Sequence, residues 1–454
     1  CMKHVGMNVA ADAFVNSAIT GVNGGLVVLA ADDPSMHSSQ NEQDSRFYGK
    51  FAMIPILEPS TQQEAYDMMK YAYALSEEKK LPVLLRVVTR LAHSRAGVVV
   101  NDLMPQNALN PDKERNWVLL PANARRQYAA LVEKQPELVE SSEHSPYNGM
   151  NAFEGKAKLG VIACGIGYNY VMENDPQSLG IPVLKVSQYP LPEASIKALA
   201  AQCESLLVAE DGQPLVEEQV KAILGADYAL KGRLTGDLPR MGELTPDCVG
   251  AALGVNIEQP YTEAQNVMPR PPALCQGCGH RDVYDALNKV AAEYEGARIF
   301  GDIGCYTLGA LPPFRAIDSC VDMGASITMA KGAADAGVFP AIAVIGDSTF
   351  THSGMTGLLD AINDNANITI ILSDNLTTAM TGGQDSAGTN KFEAICLGLG
   401  LAPEHVRVVV PLPKNMEEIT RTIREEIEYK GVSVIIPRRE CMQTLQRKLR
   451  NKKK

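Results

Sequence analysis

The 454-residue sequence predicts an α/β protein with several parallel-sheet domains. Short apolar runs of strand length alternate with longer segments that have the periodicity of helices. Strands that alternate with helices form parallel sheets covered by helices on both faces. The clearest unit is an apolar run at 340–345, a helical pattern at 353–365 and a second apolar run at 368–372. Both strands should end at the same edge of a sheet, where α/β folds bind ligands.

Residues 1–100 are predicted to alternate between helices and strands, in the order 8–19, 25–31, 61–80 and 81–88. A polar, turn-rich stretch at 32–51 follows directly from a strand end. It is therefore either a ligand-binding loop or a solvated loop. Residues 101–155 are rich in Pro, Asn and charge, and they predict a linker with one helix near 125–134.

Two further α/β domains are predicted. The first covers 156–250, with strands and helices in alternation at 159–163, 195–202, 205–209 and 214–224. Residues 225–272 are rich in Pro and Gly, and the part at 251–272 is predicted to be a connector. The last domain covers 273–441 and adds two strands around a helix, at 406–410, 416–428 and 432–437. The basic tail at 442–454 is predicted to be solvated.

Composition limits the classes of function. Hydrophobic residues make up 45% of the chain and the formal net charge is −11, which indicates a soluble globular protein and gives nucleic-acid binding no support. No apolar run has transmembrane length, and no secretory signal precedes the first strand. Cysteines group around Cys275, Cys278 and Cys305, so we expect metal chemistry in a reducing cytoplasm. The chain opens at Cys1 inside a predicted element, so we expect it to be part of a longer protein.

Polar residues follow both strands of the central unit. Gly346, Asp347 and Ser348 come directly after the first strand, and 26 residues separate Ser348 from Asn375 after the second. A carboxylate and an amide oxygen are protein ligands that suit Mg²⁺ when phosphate and water fill its other positions. The backbone carbonyl near Thr377 is a candidate third ligand. Gly346 would let a diphosphate approach the backbone, although an ordinary strand–helix–strand unit with a polar turn is the alternative.

Three cysteines lie near predicted element ends. Cys275 and Cys278 form a CxxC pair just before a helix that starts near residue 282, and Cys305 closes the next strand. Three thiolates in this pattern could hold an iron–sulfur cluster. Zinc usually takes a second pair, and a redox CxxC does not need Cys305. Buried structural cysteines are the remaining alternative.

These motifs resemble those of a known family. The GDS turn, its spacing to Asn375 and the tail from Thr377 to Gly382 resemble the thiamine diphosphate motif. Together with the C-x-G-C-G-H pair and the G-I-G-C turn, they occur in the order seen in the 2-oxoacid:ferredoxin oxidoreductases. Within that superfamily the chain most resembles the alpha subunits of the indolepyruvate ferredoxin oxidoreductases. The resemblance spans nearly the whole chain and rests on MKHVG at 2–6, DDPSMHSSQNEQD at 32–44, DIGCYTLG at 302–309 and DMGAS at 322–326.

The resemblance implies a domain organisation and an activity. It implies the C-terminal part of a pyrimidine-binding domain at 1–100, a transketolase C-terminal-like domain at 156–250 and a diphosphate-binding domain at 273–441. The implied reaction converts an arylpyruvate oxidatively to its acyl-CoA. The cofactors would be thiamine diphosphate, Mg²⁺ and a [4Fe-4S] cluster, with CoA as co-substrate. Electrons would pass to ferredoxin, and a smaller beta subunit would complete a dimer or heterotetramer.

The resemblance also implies roles for individual residues. Mg²⁺ would be held by Asp347, Asn375 and Thr377. Thiamine diphosphate would further contact Gly346, Ser348, Gly324, Ala325, Ser326 and Thr307. Three cluster ligands would be Cys275, Cys278 and Cys305, with Cys441 or Cys396 as the fourth. The candidates to face the thiazolium or the substrate carboxylate are Lys3, His4 and His280, and a local structural hydrogen bond is the alternative for each.

Two family features have no counterpart in this sequence. The glutamate that activates the aminopyrimidine lies upstream of Met2 in the family, and the CxxCxxCxxxCP runs expected after Cys441 do not occur before Lys454. One alternative is therefore a non-oxidative thiamine diphosphate-dependent decarboxylase or synthase whose cysteines are structural. Another is a scaffold subunit that binds no cofactor.

Overall fold

The structure is a computed structural model that describes residues 1–108, 115–257, 266–268 and 271–451. The chain divides into two compact units, Cys1–Thr262 and Glu263–Lys454, which we call unit 1 and unit 2. The described residues form three sheets of mostly parallel strands, which confirms the predicted α/β class with several parallel-sheet domains. The finer domain boundaries stay predictions.

The first sheet of unit 1 has the spatial strand order β1 (Met2–Lys3), β2 (Val27–Asp32), β4 (Val83–Val88), β3 (Ile56–Leu57) and β8 (Gln188–Tyr189). Neighbouring strands are parallel except for β3 and β8. The helices in this part of the chain are α1 (His4–Val9), α2 (Ala11–Thr20), α3 (Arg46–Ala52), α4 (Gln62–Lys79) and α5 (Thr89–His93). Helix α4 begins after Thr61, whose hydroxyl caps it by accepting the N–H of Glu64.

The second sheet of unit 1 has the order β10 (Ala229–Lys231), β9 (Cys203–Ala209), β6 (Ala157–Cys164), β7 (Val183–Val186) and β5 (Gly149–Met150). Its helices are α6 (Pro121–Glu133), α7 (Gln135–Glu143), α8 (Gly167–Glu173), α9 (Glu193–Gln202), α10 (Leu215–Leu224) and α11 (Pro246–Ala252), with a short turn of helix at Arg115–Trp117. The segment 101–155 differs from the predicted linker with one helix. It contains two helices and strand β5, because Leu131 and Leu138 bury their side chains in the core of unit 1.

A buried network of charges connects the two sheets of unit 1. Two fully buried guanidinium groups, those of Arg46 and Arg86, form ion pairs with four carboxylates, Asp32, Asp44, Glu58 and Glu210. Arg46 lies 2.5 Å from Asp44 and 3.0 Å from Glu210, which follows β9 in the second sheet. Two cations cannot neutralise four buried anions, so the network favours proton uptake by one of its acids.

Glu210 is the acid in this network for which we expect a visible effect of pH on stability. Burial raises its pKa to about 7, against the partial compensation by Arg46. Between pH 5 and pH 7 the unfolded chain has released this proton while the folded chain still binds it, so stability falls as pH rises. In Glu210→Gln, the loss of unfolding free energy between these pH values should be smaller by about 2 kcal/mol. Urea unfolding of both proteins at the two pH values measures this difference, and equal losses would contradict it.

The sheet of unit 2 is entirely parallel, in the order β12 (Ser319–Cys320), β11 (Arg298–Gly301), β13 (Ala341–Gly346), β14 (Ile368–Ser373), β16 (Val432–Pro437) and β15 (Val406–Val409). Its α-helices are α12 (Gly279–Ala291), α13 (Ala325–Asp335), α14 (Asp347–Thr349), α15 (Met355–Asn363), α16 (Phe392–Gly398), α17 (Met416–Glu428) and α18 (Met442–Asn451). Shorter or wider helical turns cover Cys305–Ala310, Phe350–Gly354, Pro403–His405 and Pro413–Asn415. Every residue of β13 and β14 is buried, as expected for central strands of a covered parallel sheet.

The helix after β13 begins earlier than predicted. The sequence predicts a turn at Gly346-Asp347-Ser348 and a helix from residue 353, whereas helical backbone starts at Asp347 and continues through a wider turn at Phe350–Gly354. Polar residues in this stretch, such as Thr349 and Thr351, interrupt the regular spacing of apolar residues by which a helix is predicted. Asp347 therefore lies in the first turn of a helix.

Within the described ranges, no helix combines the length and the apolar character that crossing a bilayer requires.

Candidate functional site

Asp347 lies at the carboxyl edge of the sheet in unit 2. Strands β13 and β14 pair in parallel with Gly346 opposite Ser373, so their ends are adjacent. One oxygen of the Asp347 carboxylate accepts the N–H of Ser348 at 2.6 Å, and the other accepts the N–H groups of Asn375 and Thr377 at 3.2 and 3.3 Å. The predicted magnesium ligands are thus brought together around one buried carboxylate.

Asp347 fits the role of a cation ligand. Burial and the neighbouring Asp374 carboxylate raise its pKa to about 6. Asp374 has its own partner, Arg438 at 2.6 Å, while no lysine or arginine of the described residues forms an ion pair with Asp347. A buried carboxylate without a counter-ion is costly, and a divalent cation would remove that cost. With the Oδ1 atom of Asn375 nearby, the donor set is one that Mg²⁺ takes.

Tyr306 packs against Gly346. A Cβ atom at Gly346 would lie 2.5 Å from a ring carbon of Tyr306, so only glycine fits there. The predicted approach of a diphosphate to this glycine stays a prediction, and the structure shows that its missing side chain leaves room for an aromatic ring. The hydroxyl of Tyr306 donates to the buried carboxylate of Asp302.

Asp302 holds several residues that were predicted to contact the cofactor. Its carboxylate accepts the hydroxyl of Ser326 at 2.6 Å and the N–H groups of Ser326 and Gly324 at 3.3 and 3.2 Å, next to Ala325 at the start of α13. Gly324 has a φ of 96°, a conformation that favours glycine. The hydroxyl of Thr307 donates to the carbonyl of Asp302. For all four residues, contact with a cofactor stays a prediction.

Four candidate cluster cysteines surround one cavity in unit 2. This cavity, of about 110 Å³, is lined by Asn375 and by Cys275, Cys278, Cys305 and Cys441. Cys396, the other candidate for the fourth ligand, lies fully buried in an apolar core and does not line the cavity.

The spacing of these thiols does not suit a single ion. Across the described parts of the chain, no group of three or more His, Cys, Asp or Glu residues is arranged to hold one metal ion. Burial and the neighbouring thiols raise the pKa of Cys305 to about 12. A cluster of iron and sulfide is larger than one ion and takes four thiolates around its outside. Four cysteine side chains around one cavity are the type of donor set that such a cluster takes.

His280 contacts one of these cysteines. Its Nδ1 atom is 3.3 Å from the Sγ atom of Cys278, and burial lowers the pKa of the imidazole to about 4. The amide of Gln443 donates to the Sγ atom of Cys275 at 3.6 Å. His280 was predicted to face the thiazolium or the substrate, and that role stays a prediction. The contact seen in unit 2 is with Cys278, one of the candidate cluster ligands.

The chain after β16 joins the two candidate metal sites. The N–H of Arg439 donates to the carbonyl of Asp374 at 3.0 Å, and the N–H of Cys441 donates to the carbonyl of Asn375 at 3.1 Å. The guanidinium of Arg439 donates to Asp282 in helix α12 at 3.1 Å. The backbone segments that carry the carboxamide of Asn375 and the thiol of Cys441 are therefore hydrogen-bonded to each other.

Lys3 and His4 lie where β1 ends in unit 1. The ammonium of Lys3 donates to the carbonyl of Ser38 at 2.7 Å and lies 3.6 Å from Asp33. His4 is 1% exposed, and neither ring nitrogen makes a hydrogen bond of good geometry with a described residue. Asp33 also accepts the N–H of Ser38 at 2.9 Å. The polar loop 32–44 is therefore held beside the end of β1 by hydrogen bonds. Catalytic roles for Lys3 and His4 stay predictions.

No individual role was predicted for Asp302, Tyr306, Arg439 or Gln443, although the first two lie in the DIGCYTLG motif at 302–309. Asp302 directly follows strand β11, in the same way that Asp347 follows the end of β13, and this repeated pattern could have identified it. Arg439 and Gln443 carry no such signal, because their contacts depend on the return of the chain from β16 to the cysteine loop.

Comparisons with known proteins find relatives of this chain. The family model of the thiamine pyrophosphate enzyme C-terminal TPP binding domain matches residues 302–436, which include Asp347 and Asn375. The chain is 39% identical to the indolepyruvate oxidoreductase subunit IorA of Methanothermobacter thermautotrophicus, over 97% of this chain and 75% of that protein. It is 38% identical to the same subunit of Archaeoglobus fulgidus, over 97% and 74%.

Among solved structures, a 2-oxoglutarate:ferredoxin oxidoreductase from Magnetococcus marinus matches at 19% identity with a TM-score of 0.32, over 39% of this chain and 69% of that chain. The IorA subunits, by contrast, match this chain at 38–39% identity over 97% of its length. This match confirms the family that the sequence motifs predicted. The chain belongs to the family of the indolepyruvate oxidoreductase subunit IorA.

Proposed function

We propose that this subunit binds thiamine diphosphate, Mg²⁺ and a [4Fe-4S] cluster and converts an arylpyruvate, CoA and oxidised ferredoxin to acyl-CoA, CO₂ and reduced ferredoxin. One observation carries the proposal. The cavity lined by four cysteines is also lined by Asn375, whose carbonyl accepts the N–H of Cys441 and whose own N–H donates to Asp347. The proposed site for decarboxylation and the proposed site for electron transfer would therefore be adjacent in unit 2.

Each residue set has a defined task. Asp347 and Asn375, with the backbone of Thr377, would hold Mg²⁺ and through it the diphosphate, while Gly346 and Ser348 flank Asp347 where strand β13 passes into the helix. When bound, thiamine diphosphate supplies the electron sink that loss of CO₂ from a 2-oxoacid requires. The buried Asp302 keeps Ser326 and Tyr306 in place beside this edge of the sheet.

The cysteines account for the oxidative half of the reaction. Conversion of a 2-oxoacid and CoA to acyl-CoA and CO₂ releases two electrons and one proton, and ferredoxin accepts electrons singly. A [4Fe-4S] cluster held by Cys275, Cys278, Cys305 and Cys441 would carry these electrons one at a time from the substrate to ferredoxin.

The remaining assignments follow from the family. A smaller beta subunit and ferredoxin are the proposed protein partners, within a cytoplasmic dimer or heterotetramer. Lys3 and His4 are proposed to face the substrate carboxylate or the thiazolium. The arylpyruvate preference is proposed from the names of the relatives.

The proposal is tested by a cofactor inventory of protein purified anaerobically with its partner subunit. We expect thiamine, iron and sulfide to be present, and ferredoxin to be reduced when phenylpyruvate or indolepyruvate is added with CoA. Cys305→Ser and Cys441→Ser should lose iron and ferredoxin reduction, because each removes a thiolate from the cavity. Cys396→Ala, outside the cavity, is the matched control and should keep both.

Two results would contradict the proposal. One is an iron-free, colourless protein from the anaerobic preparation. The other is release of aldehyde from phenylpyruvate without any electron acceptor, which would favour a non-oxidative decarboxylase.

A further inference from the structure

Two side-chain nitrogen atoms lie beside sulfur atoms of the cysteine cavity. Nδ1 of His280 is 3.3 Å from Sγ of Cys278, and Nε2 of Gln443 is 3.6 Å from Sγ of Cys275. For the sulfur atoms of Cys305 and Cys441, no comparable side-chain donor is found in the parts of the chain that the structure describes. The four thiols therefore divide into two with a neighbouring side-chain nitrogen and two without. A thiolate only accepts hydrogen bonds, so beside one the neutral imidazole of His280 would carry its proton on Nδ1.

We infer that His280 and Gln443 raise the reduction potential of the cluster by donating hydrogen bonds to two of its thiolates. The inference rests on the proposed function, because it requires the cluster to be bound. His280 and Gln443 are positioning residues in this view. Neither is oxidised or reduced, and neither gives up a proton.

The physical reason is electrostatic. A bound cluster would carry more negative charge on its sulfur atoms when it is reduced by one electron than when it is oxidised. An N–H dipole directed at a thiolate stabilises negative charge. It therefore stabilises the reduced cluster more than the oxidised cluster, and the reduction potential rises. Hydrogen bonds to charged acceptors are about twice as strong as neutral ones.

The two donors differ in their surroundings. His280 is 6% exposed, lies in the first turn of α12, and its ring meets that of Tyr306 edge-on with centroids 6.3 Å apart. Gln443 lies on α18 at the surface, where water competes for its amide. Because a hydrogen bond is stronger away from water, His280 should have the larger effect.

The test is a redox titration of anaerobic holoprotein, followed by electron paramagnetic resonance. The signal that Cys305→Ser removes identifies this cluster. In His280→Leu we expect the ratio of reduced to oxidised cluster at a fixed potential to fall about tenfold, a shift of about 59 mV for one electron. His280→Asn places an amide N–H near the position of Nδ1, and should stay within about twofold of wild type. Gln443→Leu should lower the ratio by about two- to threefold.

Gln446→Leu is the matched control, since Gln446 is exposed on the same helix and should leave the potential unchanged. An unchanged potential in His280→Leu with full iron content would overturn the inference and leave the proposed function standing. Equal shifts in His280→Leu and His280→Asn would also overturn it, because packing rather than hydrogen bonding would then be responsible. If His280→Leu does not bind the cluster, Gln443→Leu provides the test. An unshifted reduction potential in Gln443→Leu would then overturn the inference. Iron-free wild-type protein would instead overturn the proposed function.

Discussion

Replacement of Asp347 by asparagine is expected to abolish the stabilisation that thiamine diphosphate and Mg²⁺ give to this protein. The substitution keeps the volume of the side chain but removes its charge, and with it the counter-charge for the Mg²⁺ that we propose at the end of β13. A ligand at about a hundred times its Kd stabilises the folded state by about 2.7 kcal/mol. Thermal unfolding with and without the cofactor pair should therefore show a clear shift for wild type and none for Asp347→Asn.

The control for this prediction is another carboxylate of unit 2. The Asp364 side chain is 56% exposed and pairs with Lys331 at 2.7 Å, so Asp364→Asn should keep the full shift. Without the cofactors, Asp347→Asn should still unfold cooperatively. A normal shift in Asp347→Asn would show that this carboxylate does not anchor the diphosphate, and the assignment of the site would be wrong.

Replacement of Arg46 by methionine is expected to destabilise unit 1 by about 3–5 kcal/mol. The guanidinium of Arg46 is fully buried, 2.5 Å from Asp44 and 3.0 Å from Glu210, and it donates to the carbonyl of Gln213 at 2.9 Å. Methionine fills much of the space but leaves buried carboxylates without their partner, and this cost exceeds the loss of one ion pair. Urea unfolding, followed by a probe in unit 1, measures the change.

An exposed arginine provides the comparison. Arg421 is 67% exposed and its ion pair with Glu425 is loose, at 3.7 Å, so Arg421→Met should change stability by less than about 0.5 kcal/mol. A change below about 1 kcal/mol in Arg46→Met would contradict the prediction, because it would mean that the network loses little when one of its cations is removed.

Much of the candidate site could be predicted from local sequence. The runs that become β13 and β14 are continuously apolar, and Asp347 and Asn375 follow them immediately. A strand–helix–strand connection brings two such ends together whatever the rest of the chain does. The start of the helix at Asp347 was missed, because the polar residues of its first turns resemble a loop in sequence.

The fourth cysteine shows where local sequence is insufficient. Cys441 and Cys396 are both single cysteines outside any motif, and either could follow the family pattern. The choice depends on β16 lying beside β14, because that pairing returns Cys441 to the backbone of Asn375, while Cys396 faces the apolar core.

The sequence by itself determined the α/β class, the polar residues at the ends of β13 and β14, the three cysteines of the two short motifs and the family. The tertiary structure decided which cysteine completes the cavity, that His280 and Gln443 meet sulfur atoms, and that the charges around Arg46 are buried. The division has a physical reason. Strand ends and turns are specified by residues close together in the chain, whereas burial and side-chain partners depend on contacts between residues far apart in it.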